Sequence, residues 1–331
     1  MDLLFEPGFL SNGPVHTAVV IGTVTAVVSA VVGVYTVVRS QSFAGHALTD
    51  VATTGGSAAF YVGVDPLAGF VGAGVVGAGA MDLIGVQRVR SRDLATGIVL
   101  GAATGLSALV LYLAATSSST TGATQQILFG SIFTVDPSTI PVVVVLSVLT
   151  LAVVAVIARP LLLSSVSPEL AAARGVRQRL VGLIFMVSLA VAVGLSSVAI
   201  GSILSTALLI GPAATALRLT RTLRGAVVVA CGLGVVTTVV GILLAYDSDY
   251  WDPSSQGLPV SFFIVTLTFV GYLATGLPVV RRAVGRSGGD GHGGLRPRRG
   301  AAVASAAGPA AAAAATAATA ATAAGPVPEG A

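Results

Sequence analysis

The sequence contains no lysine and few charged residues of any kind. All 17 basic residues in the 331-residue chain are arginines, and charged residues make up 9% of the total. A soluble domain carries about 25% charged residues, so this chain lacks the side chains needed to hydrate a globular surface. A Walker A nucleotide site needs a lysine on the phosphates, so the chain cannot bind ATP in that way. Schiff-base chemistry is excluded for the same reason.

Cysteine is almost absent as well. Cys231 is the only cysteine, which excludes an internal disulfide. The chain also lacks the His-Glu-x-x-His motif of a metalloprotease. We therefore predict that it is not an enzyme, and that any ATP hydrolysis takes place on a separate chain.

Hydrophobic residues are abundant, at 54% of the chain, and the mean hydropathy is +0.95. They occur in blocks of about 20 residues, which is the length that crosses a bilayer. The sequence predicts an all-α fold, a polytopic membrane helix bundle of about nine transmembrane helices. The predicted spans are 15–38, 43–64, 67–86, 94–115, 140–158, 179–196, 198–217, 225–246 and 258–278.

The arginines predict the orientation of these spans. With the N-terminus outside, every arginine-bearing connection and the C-terminus lie on the cytoplasmic side, as the positive-inside rule requires. We therefore predict a multi-pass protein of a bacterial inner membrane, in contact with membrane lipid and without nucleic-acid binding. The outer connections carry only acidic charge, which is either an ordinary polar cap or a mouth that concentrates cations. These residues are Asp65, Asp136, Asp247, Asp249 and Asp252.

The composition changes near the C-terminus. Residues 1–282 form the predicted transmembrane domain, and residues 283–331 are rich in glycine, arginine and alanine. The alanine-rich part has no large apolar side chains that could pack against a core. We predict that 283–331 is a disordered cytoplasmic tail.

The most informative polar residues within a predicted span are His46 and Asp50. They are four residues apart and therefore share one helix face. A charge at the centre of a bilayer costs about 2.5–3.5 kcal/mol, so such groups usually line a pathway or a bundle interior. Imidazole and carboxylate suit Zn²⁺, Mn²⁺ or Fe²⁺. The alternatives are a hydrogen bond between the two side chains and a proton relay.

Small residues and prolines predict how the spans pack. Gly69, Ala73 and Gly77 recur every four residues, a spacing that lets helices approach closely in lipid. Gly211 and Pro212 predict a kink or break in a span, because proline removes a helix hydrogen bond. Asp82, near the end of a span, is expected to have a structural role, with Arg88 as its possible partner.

A short helix is predicted in the connection between the fifth and sixth spans. Ser167 suits the N-cap and Pro168 the first helical position. Glu169 falls in the first turn, where the helix dipole favours an anion. Gly175 suits the position just after the C-terminus. This helix is either an inert connection or a contact surface on the cytoplasmic face.

The chain resembles the permease subunits of zinc/manganese/iron ABC importers. Three segments carry the resemblance, and the third is the most specific: 42–50, 167–176 and 198–216. The family typically has Gly-Asp-x-Leu-x-His in the second span, whereas this chain reads Gly-His-Ala-Leu-Thr-Asp from Gly45 to Asp50. The acid and the imidazole are exchanged, but the i, i+4 pair is kept.

The resemblance implies an ATP-driven importer for divalent metal cations, with alternating access. His46 and Asp50 would contact the transported ion, and no cofactor would be bound permanently. A permease homodimer, two ABC ATPase subunits and an extracytoplasmic metal-binding protein would complete the assembly. Residues 167–176 would form the coupling helix that contacts the ATPase. The alternatives are a siderophore/cobalamin-type ABC permease and a proton-coupled secondary transporter.

Overall fold

The computed structural model describes residues 13–84, 92–117, 127–130, 132–248 and 258–276. Within these ranges the chain is helical and no strand occurs. The α-helices are α1 Gly13–Val38, α2 Ser42–Val62, α3 Pro66–Ile84, α4 Arg92–Ser117, α5 Ile140–Val166, α6 Pro168–Ala173, α7 Gln178–Ile200, α8 Ser202–Leu219, α9 Leu223–Ser248 and α10 Val260–Ala274. Two short 3₁₀ turns, Ile132–Thr134 and Pro137–Thr139, precede α5.

The long helices match the predicted spans in number and order within the described ranges. Each of the nine predicted spans coincides with one helix, and α6 is the additional short one. Six of the nine are long and apolar enough to cross a membrane, and α8 and α10 are shorter apolar helices. The prediction of an all-α membrane bundle is confirmed. The predicted tail from 283 and the segment 85–91, with Arg88 and Arg90, lie outside the described residues.

α2 is the exception among the long helices. It has 21 residues but does not belong to the six apolar spans. The reason is its polar content, which includes His46, Asp50 and the hydroxyls of Thr49, Thr53 and Thr54. A helix of this kind is placed at membrane depth only where other helices or water cover its polar face.

α1 and α7 form the centre of the bundle. In the most apolar 18-residue stretch of each helix, the share that is buried inside the protein is 67% for α1 and 72% for α7, compared with 17% for α4. The largest buried cluster brings side chains of these central helices together with α2, including Val28, Leu48 and Phe185. A buried hydrogen bond of 2.5 Å also joins the Ser29 and Ser196 hydroxyls. α4 therefore lies at the periphery, packed mainly on α2.

The predicted close packing of small residues is confirmed between α2 and α3. A Cβ atom added at Gly69 would lie 2.3 Å from the carbonyl oxygen of Gly55, and one at Gly77 would lie 2.6 Å from Val51. By contrast, a Cβ at Gly72 would have no neighbour within 4 Å. The face of α3 that carries Gly69 and Gly77 therefore contacts α2, and only glycine allows this separation.

Of the kink or break predicted at Gly211 and Pro212, a break is not observed, and the kink stays a prediction. α8 is a continuous helix through both residues, because proline deprives only the Leu208 carbonyl of its helix partner and the surrounding residues pack tightly. Gly211 lies against Thr268 of α10, where an added Cβ would be 2.1 Å from the threonine methyl.

The helical structure is instead interrupted at Gly201, which separates the end of α7 from the start of α8. Gly201 has φ 85° and ψ 159°, which side chains rarely adopt. An added Cβ at this residue would lie 2.3 Å from the Leu128 carbonyl oxygen. The close approach of residues 127–130 therefore requires glycine at the junction.

Among the described residues Asp82 pairs with Arg179, and Arg88, the partner expected from the sequence, lies outside them. Oδ2 of Asp82 accepts a hydrogen bond of 3.1 Å from Nε of Arg179, at the start of α7. Asp82 is buried whereas Arg179 is largely exposed. The pair therefore joins the ends of α3 and α7.

Candidate metal pathway

His46 and Asp50 lie one turn apart on α2, as predicted. The His46 side chain is exposed and Asp50 is half-buried, whereas Ala47, Leu48 and Thr49 between them are buried. The helix therefore turns Ala47, Leu48 and Thr49 toward the bundle and leaves the two candidate ligands on its more open side. This arrangement keeps both groups accessible to an ion.

His46 is held by a hydroxyl from α8. Its Nδ1 forms a hydrogen bond of 3.3 Å with Oγ1 of Thr206, and Thr206 is also 3.2 Å from Oγ1 of Thr49. The Thr49 hydroxyl donates in turn to the Gly45 carbonyl at 3.0 Å. Because Nδ1 is engaged, Nε2 is the nitrogen available to a metal. A partner on the second ring nitrogen is the usual way in which a metal-binding histidine is oriented.

Asp50 is held by a hydroxyl from α4. Thr104 Oγ1 donates a hydrogen bond to Oδ2 of Asp50. One turn further along α2, the Thr54 hydroxyl lies 3.4 Å from the Ala103 carbonyl oxygen. α2 and α4 are therefore joined by polar contacts beside the carboxylate.

Thr104 and Thr206 were not singled out in the sequence. Threonines are common in membrane helices and usually bond to their own helix carbonyls, so their composition carries little information. Thr206 does fall within the third resembling segment, 198–216, which was the only signal available. Only the packing of α4 and α8 on α2 places these hydroxyls next to the two ligands.

The two candidate ligands do not hydrogen-bond to each other in the structure; each has a threonine partner. The described residues contain no group of three or more His, Cys, Asp or Glu side chains that could enclose an ion. A single described chain therefore offers two ligands on one helix. This set is open rather than closed, and an ion in it would be completed by water or by groups outside the described chain.

The short helix between α5 and α7 forms as its sequence predicts. α6 spans Pro168–Ala173, and the Ser167 hydroxyl accepts a hydrogen bond of 3.4 Å from the Leu170 amide. Gly175 has φ +74°, the left-handed conformation expected after a helix end. Glu169 is exposed in the first turn. The Gln178 side chain donates to the Pro168 carbonyl and so fixes α6 to α7.

Two of the acidic residues lie at the end of the bundle that is opposite α6. Asp65 follows the end of α2, and Asp136 precedes the start of α5. Asp65 and Asp136 line a cavity of about 210 Å³ together with Phe60, Phe70 and Thr139. Each carboxylate also accepts a backbone hydrogen bond, from Leu67 at 3.0 Å and from Ser138 at 2.8 Å. The bonds from Ser138 hold the pKa of Asp136 below its usual value. Asp136 therefore stays charged at neutral pH.

A family comparison accounts for this arrangement. The model of the ABC 3 transport family matches residues 13–275, which includes every described helix. The chain belongs to this family. The family is one of membrane transport subunits, in agreement with the absence of a Walker A lysine.

The relatives are membrane proteins of metal transport systems. The chain is 29% identical over 247 residues to the manganese transport system membrane protein MntC of Listeria innocua, covering 74% of this chain and 86% of that protein. It is 26% identical over 233 residues to the high-affinity zinc uptake system membrane protein ZnuB of Haemophilus influenzae, covering 70% and 88%.

The fold is shared with a solved structure. The chain superimposes on a chain of PsaBC from Streptococcus pneumoniae in complex with Fab, with a TM-score of 0.68 and 22% identity. The match covers 83% of this chain and 95% of that one. The helix bundle described above therefore has the same fold as that chain.

Proposed function

We propose that the chain is the permease subunit of an ATP-driven importer of divalent metal ions, with zinc, manganese or iron as its cargo. The observation that carries this proposal is the pair His46 and Asp50 on the polar helix α2, within a fold of the ABC 3 transport family. The relatives are named for manganese and zinc transport. The ion is cargo and is not a resident cofactor.

His46 Nε2 and the Asp50 carboxylate are the proposed transient ligands. A nitrogen and an oxygen donor together suit Mn²⁺, Fe²⁺ and Zn²⁺ alike. Two protein ligands bind an ion less tightly than a closed site of four, which favours release to the other side. A second permease copy and water molecules would complete the coordination.

The ATPase subunit is the proposed partner of α6. The helix is preformed by the Ser167 cap, and it exposes Pro168, Glu169 and Leu170. ATP binding and hydrolysis on that partner would switch the pathway between outward and inward access. A thiol introduced by Glu169→Cys in a Cys231→Ser background should cross-link to the ATPase, whereas one introduced by Asp65→Cys should not. Equal cross-linking from both positions would contradict the proposed role of α6.

The opposite end of the bundle is the proposed entry side. Asp65 and Asp136 lie there, and their negative charge would attract cations delivered by an extracytoplasmic metal-binding protein. On this proposal α6 and the C-terminus are cytoplasmic and the N-terminus is outside, in a bacterial inner membrane.

The siderophore-type alternative is not favoured, because a large chelate needs no ligating pair and the relatives named above transport metals. A proton-coupled secondary transporter would make different use of the same groups. The proposed importer and a proton-coupled carrier are distinguished by removing the ATPase subunit from cells. The proposed importer then loses metal uptake, whereas a proton-coupled carrier keeps it.

The ligand assignment is tested with the double variant His46→Ala/Asp50→Ala in cells that depend on this importer for manganese. Uptake of Mn²⁺ is expected to fall by more than about tenfold, since both protein donors are lost. His16→Ala is the matched control, because His16 is exposed at the start of α1, away from the pair. Normal uptake by a double variant that is expressed at the usual level would remove both residues from the pathway.

A further inference from the structure

The turn between α1 and α2 is a rigid connection. The Ser40 amide donates to the Val37 carbonyl at 3.0 Å, and the Gln41 amide donates to the Thr36 carbonyl at 2.9 Å. This pair of bonds is the Schellman pattern that closes a helix. Ser40 takes the left-handed conformation of the pattern, with φ 54°, although it is not glycine. The end of α1 and the start of α2 are therefore locked together.

Arg39 is bonded directly to the start of α2. Its Nε donates to Oε1 of Gln41 at 3.1 Å, and Gln41 is completely buried. The Gln41 carbonyl accepts a hydrogen bond of 3.0 Å from the Gly45 amide in the first turn of α2. A displacement of the Arg39 guanidinium would therefore displace Gln41 and, with it, the first turn of α2, which immediately precedes His46.

The same guanidinium contacts the last turns of α5. Nη1 lies 3.4 Å from the Leu161 carbonyl oxygen, 3.3 Å from the Ser164 hydroxyl and 3.1 Å from the Ser165 hydroxyl. A cation is favoured there because the helix dipole is negative at the C-terminus. The guanidinium also lies 5.5 Å from the ring centre of Phe185 in α7, which supports it from the other side.

α5 passes directly into α6. Ser167 ends α5, its amide donating to the Leu163 carbonyl at 3.0 Å, and its hydroxyl also caps α6. Pro160 lies inside α5, just before the turns that Arg39 contacts. Proline removes a hydrogen bond from the helix at this point and makes it a preferred place for bending. The end of α5 after Pro160 and α6 can therefore move as one segment.

We propose that Arg39 is a positioning residue that transmits the movement of α6, driven by the ATPase, to α2 and its ligands His46 and Asp50. The path runs from α6 through the end of α5 to Arg39, and from Arg39 through Gln41 into the first turn of α2. This role rests on the proposed function, because it requires an ATPase bound at α6.

A simple anchoring role makes a different prediction. An arginine that only stabilises the cytoplasmic end of the bundle would, when replaced, lower the amount of assembled transporter, and with it ATP hydrolysis and uptake in equal proportion. An arginine that transmits movement would, when replaced, lower the number of ions carried for each ATP hydrolysed. The ratio of uptake to hydrolysis therefore separates the two roles.

The experiment uses the full chain assembled with its ATPase subunit and metal-binding protein in proteoliposomes, with Mn²⁺ as the transported ion. For Arg39→Gln we expect hydrolysis to continue while the number of ions carried per ATP falls by about tenfold, within the usual range of coupling between sites. Arg221→Gln is the matched control, because Arg221 is an exposed arginine in the connection between α8 and α9, outside the path from α6 to α2.

A second variant provides the same test if Arg39→Gln does not assemble with the ATPase subunit. Ser164→Ala/Ser165→Ala removes two acceptors and keeps the arginine, and it should lower the same ratio by a smaller factor. An unchanged ratio in the variants that assemble, or a proportional fall of both activities, overturns the role of Arg39. Absence of ATP-driven uptake by the unmodified complex instead overturns the proposed function, and this role with it.

Discussion

At the scale of single residues, the candidate pathway depends on hydroxyl groups as well as on the two ligands. Thr206 from α8 and Thr104 from α4 each hold one ligand of α2. Partners of this kind fix the orientation of a side chain before an ion arrives, so the side chain loses less conformational freedom when the ion binds. In this chain the imidazole of His46 and the carboxylate of Asp50 each have one such hydroxyl partner.

Replacement of Thr206 tests this support. Thr206→Val keeps the shape of the side chain and removes the hydroxyl that contacts His46 Nδ1, so the imidazole loses its fixed orientation. We expect the KM for Mn²⁺ uptake to rise by about tenfold.

The matched control is Thr237→Val, because the Thr237 hydroxyl bonds only within α9, to the Leu233 and Gly234 carbonyls. A similar KM in both variants, measured at equal expression, would show that Thr206 does not position His46.

At the scale of helices, the contact between α2 and α3 fixes where the ligands lie. Gly55 and Gly69 allow the two backbones to approach closely, and Gly77 receives the side chain of Val51. Because lipid provides little hydrophobic driving force between helices, such close contacts are a major source of packing energy in a membrane.

Alanine substitutions in α3 test this packing on two faces of one helix. Gly69→Ala would place a Cβ 2.3 Å from the Gly55 carbonyl oxygen, so the helices must separate. We expect a destabilisation of about 1–3 kcal/mol, visible as a lower Tm of the purified protein. Gly72→Ala meets nothing within 4 Å and should leave Tm unchanged or slightly raised. Equal Tm values for the two variants would contradict the observed orientation of α3.

Helix boundaries also depended on neighbours. Glycine and proline at positions 211 and 212 predict an interruption from local chemistry alone, yet α8 continues through them. The interruption occurs at Gly201, where residues 127–130 approach the backbone too closely for any side chain. A local signal shows where a helix is weak, whereas the surrounding packing determines whether it ends there.

At the scale of the whole molecule, charge is distributed unequally between the two ends of the bundle. Asp65 and Asp136 line a cavity at one end, and Arg39, Arg174 and Arg179 lie toward the other, near α6. The positive-inside rule predicts that the arginine-bearing end faces the cytoplasm.

Thiol labelling in intact cells tests this orientation. In a Cys231→Ser background, Asp65→Cys should react with a membrane-impermeant maleimide from outside. Arg174→Cys should react only after the membrane is permeabilised. Both positions are exposed, so access rather than burial determines the result. Labelling of Arg174→Cys in intact cells would reverse the proposed topology.

The sequence by itself determined the class of protein, the number and order of the helices, and the position of His46 and Asp50 on one face of α2. These properties follow from local composition: about 20 apolar residues form a span, and an i, i+4 spacing places two groups on one face. The capped helix α6 was predictable for the same reason, since Ser167, Pro168 and Gly175 act on their immediate neighbours.

Only the tertiary structure decided which side chains meet across helices. Thr104 contacts Asp50, Thr206 contacts His46, Arg179 pairs with Asp82, and Arg39 contacts the end of α5. The two members of each of these pairs are 54 to 160 residues apart in the chain. The physical reason is that hydroxyls and arginines have no periodic pattern that identifies their partners. Their contacts are determined by how closely small residues allow the helices to pack.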